Sequence, residues 1–423
     1  MSLRSLAKKF IDYTIEDDDK VYRLKKTPFA YRKNFTADFR RQYGDLPICE
    51  NKVVFDNYMG SGYGCNGKYV TEYLLGEEAE FAEKLDIVWI TKDAEKRREM
   101  FPPQVRLVEY GSPEAMREYA TSRIWIKNFQ MVHYLNKGLV KREGQTYVQM
   151  WHGSFGIKKI ESGVAYLQKD RPWLALAKKN AAYTDYWISN SAFETQVYKD
   201  AFWGAGEILE YGHPRNDLFF KDTTEIAQKV RRKYGIGEEE KIFLYVPTFR
   251  DKNRLQVMMP DRDKISESMT KRFGGTWVFA LRNHPRYAVN EKLCAKEREE
   301  GCHTPLIDVT DYADMQELLV AADAVLTDYS SAIFDFVLTG RPGFMLVEDY
   351  DAYKDLRGLY YPPEETPFAV AYSEEELLAQ IEQFDEEVYK KKAEDFLAEK
   401  GSVEDGKAAG RVAGLIKEII EKG

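Results

Sequence analysis

Short apolar runs recur along this chain, each breaking off at a cluster of polar, glycine or proline residues, with segments of helical spacing between them. The clearest run is Tyr147-Val148-Gln149-Met150-Trp151. It stops at His152-Gly153-Ser154, and a loop or helix start follows at Gly156-Ile157-Lys158-Lys159-Ile160. Apolar runs of this kind, alternating with helices, predict βαβ units and a mostly parallel sheet covered on both faces. Ligands of such sheets bind in the crevice beyond the carboxyl ends of the strands. A polar residue that closes a run is therefore a candidate for chemistry, and histidine is the side chain best suited to move a proton near pH 7. A lone histidine in that place more often just hydrogen-bonds a neighbouring loop. Here, three later motifs favour a site.

The rhythm occurs twice. In the first half, strands are predicted at 52–56, 86–91, 105–110, 123–127, 147–151 and 186–189, and helices at 69–75, 113–120, 173–183 and 193–202. After the turn cluster Gly212-His213-Pro214-Arg215-Asn216-Asp217 and a polar helix at 224–234, a second series begins at Lys241. Its strands are 242–246, 277–282, 306–309, 324–327 and 342–347, with helices at 314–322, 374–383 and 385–399. A length of 423 residues exceeds the usual single domain. We divide the chain into an acceptor-side Rossmann-like domain, 1–220, and a donor-binding one, 221–404. The amphipathic stretch 406–422 carries Val412, Leu415, Ile416, Ile419 and Ile420 at helical spacing. It is expected to form a helix at about 405–423 that packs back on the first domain.

Several function classes are disfavoured. A net charge of −8 argues against a nucleic-acid partner. The cysteines, Cys49, Cys65, Cys294 and Cys302, have no metal-finger spacing and read as free thiols. No metal site and no cofactor are expected. No stretch has the length and apolarity of a membrane span, and the first twenty residues lack a signal-peptide core. Between 25 and 43, Lys25, Lys26, Arg32, Lys33, Arg40 and Arg41 interleave with Phe29, Tyr31, Phe35, Phe39 and Tyr43. Such a segment can dock on anionic headgroups. An amphipathic element packed on the body of the protein explains it equally simply, and that is the reading we favour for the segment.

The glycine loop Gly60-Ser61-Gly62-Tyr63-Gly64-Cys65-Asn66-Gly67-Lys68 half-matches both a dinucleotide fingerprint and a P-loop. Tyr69 stands where a P-loop has the magnesium-holding hydroxyl, so the loop reads as a close-approach turn able to offer backbone N–H groups to a phosphate or an acceptor. In the second half, the strand ends bring Thr248 with Arg250, Arg282 with His284-Pro285, and Asp328 with Ser330 and Ser331. Hydroxyls and N–H groups at a helix start, beside arginines, form an anion pocket. Each motif alone is explained by an N-cap or by solvated charge. Together they predict a phosphate-bearing donor on the second half, facing a base on the first.

The ordered set Trp151-His152-Gly153-Ser154 with Lys158-Lys159-Ile160, Gly212 to Asp217, Tyr245 to Asp251, His284-Pro285 and Thr327-Asp328-Tyr329-Ser330-Ser331 with Phe334-Asp335-Phe336 resembles the CDP-glycerol glycerophosphotransferases, the primases and polymerases of bacterial teichoic acid. The resemblance implies an α/β GT-B fold of two Rossmann-like domains facing across a cleft. It also implies transfer of a polyol phosphate from CDP-glycerol or CDP-ribitol to a hydroxyl on a lipid-linked acceptor, with release of CMP. In that family's pattern His152 matches the base, and His284 matches the histidine at the donor's phosphates. Thr248, Arg250, Arg282, Asp328, Ser330 and Ser331 fall on the donor side. Gly62, Gly64, Gly153 and Ser154 fall on the acceptor side. The expected location is the cytoplasmic face of the membrane, as a peripheral protein on an anionic surface. The alternatives are a sugar-nucleotide glycosyltransferase or 2-epimerase on the same fold, and a non-catalytic polymer-binding relative.

Overall fold

The computed structural model describes residues 11–16, 19–24, 33–164, 171–248, 259–283 and 303–422. A small antiparallel sheet, β1 (Ile11–Glu16), β2 (Asp19–Leu24) and β3 (Lys33–Asn34), precedes the helix Phe35–Tyr43. Then comes a seven-stranded parallel sheet: β4 (Cys49–Asp56), β5 (Asp86–Thr91), β6 (Arg106–Glu109), β7 (Ser122–Lys127), β8 (Thr146–Gln149), β9 (Tyr186–Ser189) and β10 (Glu207–Glu210), in the order β10-β9-β8-β7-β4-β5-β6. A six-stranded parallel sheet follows: β11 (Glu240–Val246), β12 (Thr276–Leu281), β13 (Leu306–Asp308), β14 (Ala324–Thr327), β15 (Gly343–Leu346) and β16 (Ala369–Ala371), in the order β13-β12-β11-β14-β15-β16.

Both sheets are doubly wound. The chain runs outward from a central strand, returns, and runs out the other way. Each sheet thus has one point where the order reverses, between β4 and β7 and between β11 and β14. At such points the loops diverge and leave a crevice. Asp56 and Lys127 end the strands at the first, and Val246 and Thr327 at the second. The central strands are buried on both faces, which is why Val53-Val54-Phe55 and Ile242-Phe243-Leu244-Tyr245-Val246 read as unbroken apolar runs instead of alternating ones.

The two halves are joined by more than a linker. The helix Ala408–Glu421 packs Val412, Ala413, Leu415 and Ile416 into the same core as Val53, Phe55 and Val70 of the first half. In the opposite direction, the loop after His152 inserts Phe155 and Ile157, both fully buried, into the core of the second half. There Tyr360 N donates to Ile157 O at 2.7 Å, Lys159 N donates to Gly358 O at 3.1 Å, and the Tyr361 hydroxyl donates to Phe155 O. Between the halves, Lys68 Nζ is buried against Asp314 Oδ2 at 2.8 Å and Glu317 Oε1 at 2.5 Å, and Tyr69 donates to Asp314 at 3.0 Å.

Candidate active site

At the first crevice the loops are tied by buried polar groups. Lys127 Nζ meets Asp56 Oδ2, and the Tyr119 hydroxyl donates to the same oxygen at 3.0 Å. Burial pushes the Lys127 ammonium down, against the pull of Asp56. Asp56 Oδ1 accepts from Gly60 N at 2.9 Å, which folds the glycine loop back onto its strand. Asn128 Nδ2 donates to Asn57 Oδ1 at 2.6 Å, and Asn128 Oδ1 accepts from Tyr58 N at 2.8 Å. The backbone carbonyl of Asn128 then receives Nδ1 of His152 at 2.8 Å. A carbonyl can only accept, so Nδ1 carries the proton and Nε2 keeps its lone pair. Burial pushes the His152 pKa down to about 3, with Arg215, Lys158 and His213 acting in the same direction. The ring is packed by Tyr58, edge-on with centroids 4.9 Å apart, and by Phe129 and Trp151. The result is a neutral imidazole of fixed tautomer, a proton acceptor at one defined atom.

The strand leading to His152 is shorter than its apolar run implies. It ends at Gln149 and not at Trp151. Trp151 sits at φ 49°, a left-handed conformation that cannot continue a ladder. The Met150 and Trp151 carbonyls turn instead to Asn66 Nδ2, each at 3.2 Å.

The residues expected on the acceptor side lie in different surroundings. Gly62 lies in the glycine loop at φ 115°, where its carbonyl takes Asn57 Nδ2 at 3.1 Å. Gly64 instead abuts the second half, since a Cβ there would stand 3.0 Å from Ala313 O. Lys68, the near-match to a P-loop lysine, is committed to Asp314 and Glu317. Ser154 turns inward. It is buried, donates to Asp335 Oδ1 at 2.5 Å, and lies 3.1 Å from Arg215 Nη2 and 3.3 Å from Asn190 Nδ2. The short hydroxyl side chain faces inward because the next residue, Phe155, anchors the loop in the opposite core. The Gly153 carbonyl accepts from Arg215 Nη2 at 2.6 Å.

At the second crevice, Asp328 Oδ1 accepts from Thr248 N at 2.8 Å and from Tyr329 N, so one carboxylate joins the loops that leave β11 and β14. Thr327 Oγ1 donates to Val246 O at 2.6 Å and accepts from Ser330 N at 3.2 Å. Tyr329 stacks flat on Tyr353, with centroids 3.9 Å apart. Ser331 precedes the short helix Ala332–Phe336 without its hydroxyl capping it, and Gly156 of the His152 loop lies against its Cβ. Arg282 Nη1 points to the carbonyls of Tyr312 and Val309, so this guanidinium braces the 309–312 loop. Arg250 and His284 lie outside the described residues.

Two side chains join these regions and carry no assignment from the motifs. Arg215 is 2% exposed and pairs with Asp335 through Nε at 2.9 Å. Asn216 Nδ2 donates to Asp335 at 3.1 Å and to Glu404 at 2.8 Å. The signal available in sequence was the density of His, Arg, Asn and Asp in one turn at 212–217, which is costly to bury without a partner network. Among the described residues, no group of three or more His, Cys, Asp or Glu is placed to hold a metal ion, and no helix is long and apolar enough to cross a membrane.

Two facing doubly wound sheets, with the last helix returned to the first, define the GT-B class of α/β proteins. Residues 39–418 match the CDP-Glycerol:Poly(glycerophosphate) glycerophosphotransferase family, and the chain belongs to it. It is 30% identical over 330 residues to the teichoic acid poly(glycerol phosphate) polymerase of Bacillus spizizenii, covering 76% of this chain and 80% of that one. It is 29% identical over 383 residues to the polymerase of the same name from Staphylococcus epidermidis, covering 88% of this chain but only 51% of the relative's length. A structure of the wall teichoic acid polymerase TagF, a variant soaked with CDPG, superposes with a TM-score of 0.74 at 25% identity, covering 92% of this chain and 93% of that one.

Proposed function

We propose that this chain transfers glycerol phosphate from CDP-glycerol to a hydroxyl of a membrane-held, lipid-linked acceptor and releases CMP, in the synthesis of teichoic acid or a related surface polymer. His152 Nε2 takes the proton of the acceptor hydroxyl as its oxygen attacks the β-phosphorus of the donor. A new P–O bond forms, the bond from that phosphorus to the bridging oxygen breaks, and CMP leaves with the electron pair. Ser330 and Ser331, with Arg250 and His284, hold the phosphates and stabilise the charge that develops on them. Asp328 and Thr248 shape the loop that carries the two serines, and Arg282 braces its neighbour. The observation that carries this reading is the tautomer of His152, a neutral ring whose one hydrogen bond among the described residues leaves the second nitrogen available. Family membership supports the donor, and the names of the two polymerase relatives favour glycerol over ribitol.

The membrane face is part of the proposal. Phe39 and Tyr43 of the basic, aromatic segment are buried in the first domain's core, so they are not lipid anchors, whereas Arg40 and Arg41 are exposed. Lys178, exposed on the helix Arg171–Tyr183, lies over the Trp203 ring, and Lys179 of the same helix lies over Tyr183; with Trp173 they are a second candidate. A peripheral protein at the cytoplasmic face would use these charges against anionic headgroups.

Thermal stabilisation by CMP, CDP-glycerol, CDP-ribitol, UMP and UDP-sugars tests the donor, because a ligand of the native state alone raises the melting temperature. Cytidine nucleotides should stabilise and CDP-glycerol should release CMP when an acceptor is supplied. Stabilisation by uridine nucleotides alone would replace this reading with the sugar-nucleotide enzyme.

A further inference from the structure

Three carbonyls that flank His152 are held by two buried side chains. Asn66 Nδ2 donates to Met150 O and Trp151 O, both at 3.2 Å, and Arg215 Nη2 donates to Gly153 O at 2.6 Å. The two holders are themselves joined, since Arg215 N donates to Asn66 Oδ1 at 3.1 Å. Asn66 is fully buried at the start of the helix Cys65–Gly76, and it spans the glycine loop, the His152 turn and the 214–220 turn at once. The turn it grips is one the chain would not adopt unaided. The β8 ladder has ended, and Trp151 lies in the left-handed region that a bulky side chain rarely enters. A primary amide is suited to this place. Its nitrogen supplies the two donors that two converging carbonyls require, and its oxygen accepts from Arg215.

We infer that Asn66, backed by Arg215, is a positioning residue for the transfer reaction: it fixes the turn that directs His152 Nδ1 onto Asn128 and thereby presents Nε2 to the acceptor hydroxyl. The inference rests on the transferase reading for its chemistry, but its geometric half can be measured without turnover. Asn66→Asp keeps the size and the acceptor for Arg215, yet sets a carboxylate oxygen against two carbonyls. Asn66→Ser is neutral but too short to reach both.

The experiment measures kcat, KM for CDP-glycerol, calorimetric affinity for CMP, and the imidazole nitrogen shifts of His152, assigned by their loss in His152→Gln. A misplacement of the base by an ångström costs about 100-fold in rate. The expected result is therefore a fall of that size in kcat, with KM for the donor and CMP affinity unchanged within error. The His152 signals should change from one Nδ1–H tautomer to a mixture. Asn66→Ser should show the same division if Asn66→Asp does not fold. Parental kcat in a folded variant overturns the inference. So does an equal loss of kcat and CMP affinity, which would mark a general structural role. If the parent protein turns over no CDP-glycerol, the transferase reading fails by itself. The tautomer then decides, and a parental His152 signal in both variants overturns the positioning role.

Discussion

Nδ1 of His152 stands 2.8 Å from the carbonyl oxygen of Asn128, and this one bond determines which ring nitrogen can act as a base. On the proposed mechanism, replacing the ring removes general-base catalysis, which contributes roughly 10²–10⁴-fold. His152→Gln is expected to lower kcat by that order while CMP binding, read by calorimetry, is kept. The pH profile carries a second test. A base works when deprotonated, and burial holds this imidazole neutral down to about pH 3. The acid limb of kcat/KM should therefore not fall with an apparent pKa in the ordinary histidine range. A limb there that vanishes in His152→Gln would show that His152 titrates normally and is not held as described.

Asp328 supports a different prediction, because its carboxylate is occupied by backbone. With Thr248 N and Tyr329 N both donating to it, Asp328→Ala removes two hydrogen bonds to a carboxylate, each worth about 1.5–3 kcal/mol. The serine loop should loosen, so KM for CDP-glycerol and the dissociation constant for CMP should both rise. Asp328→Asn, which retains one acceptor oxygen, should lie between parent and alanine. Equal donor affinity in all three proteins would sink the loop-shaping role.

Most of the architecture was legible because both sheets are buried on two faces. Strands such as Asp86–Thr91, Tyr186–Ser189 and Ala324–Thr327 have the very limits that their apolar runs imply. The elements that escaped have no such pattern. β10 is Glu-Ile-Leu-Glu at a sheet edge, β16 has three residues, and the helix Arg262–Phe273 turns only Arg262, Ile265, Ser268 and Met269 fully inward. Around the candidate site, His152 and the Asp328–Ser331 run are legible in sequence as polar breaks after strands. The inward turn of Ser154 is not, because proximity to a strand end says nothing of which way a side chain faces. Asn66 and Arg215 act through carbonyls distant in sequence, and only the folded chain brings those together.

The contact between Lys68 and the Asp314–Glu317 pair makes a stability prediction with no catalytic content. Removing one partner of a buried ion pair leaves its opposite charge uncompensated, which costs about 3–5 kcal/mol. Lys68→Met should therefore lower the urea midpoint by a corresponding amount. Adding Asp314→Asn should recover part of it, since Glu317 still has Lys229 at 2.8 Å. A Lys68→Met midpoint equal to the parent's would mean that the two halves are not held together through this lysine.

Glu404 offers the clearest dependence of stability on pH. It is half-buried beside the 212–217 turn, where Asn190 Nδ2 donates to it at 3.0 Å and Asn216 Nδ2 at 2.8 Å. Burial raises its pKa from 4.5 to about 7, although His213 and the two amides oppose the shift. The folded protein therefore binds this proton more tightly than the unfolded chain does. The stabilising contribution is complete below pH 4.5, declines as pH rises, and is gone above about pH 7. Glu404→Gln carries no charge at any pH and lacks this slope. Its stability relative to the parent should increase between pH 5 and pH 8 by on the order of 2 kcal/mol. Glu161, raised to about 7 by its own burial, contributes a slope of the same sign in both proteins and cancels in the difference. Melting temperatures at the two pH values decide the matter, and a variant-minus-parent difference that does not grow with pH would show that Glu404 is ionised at little cost in the folded protein.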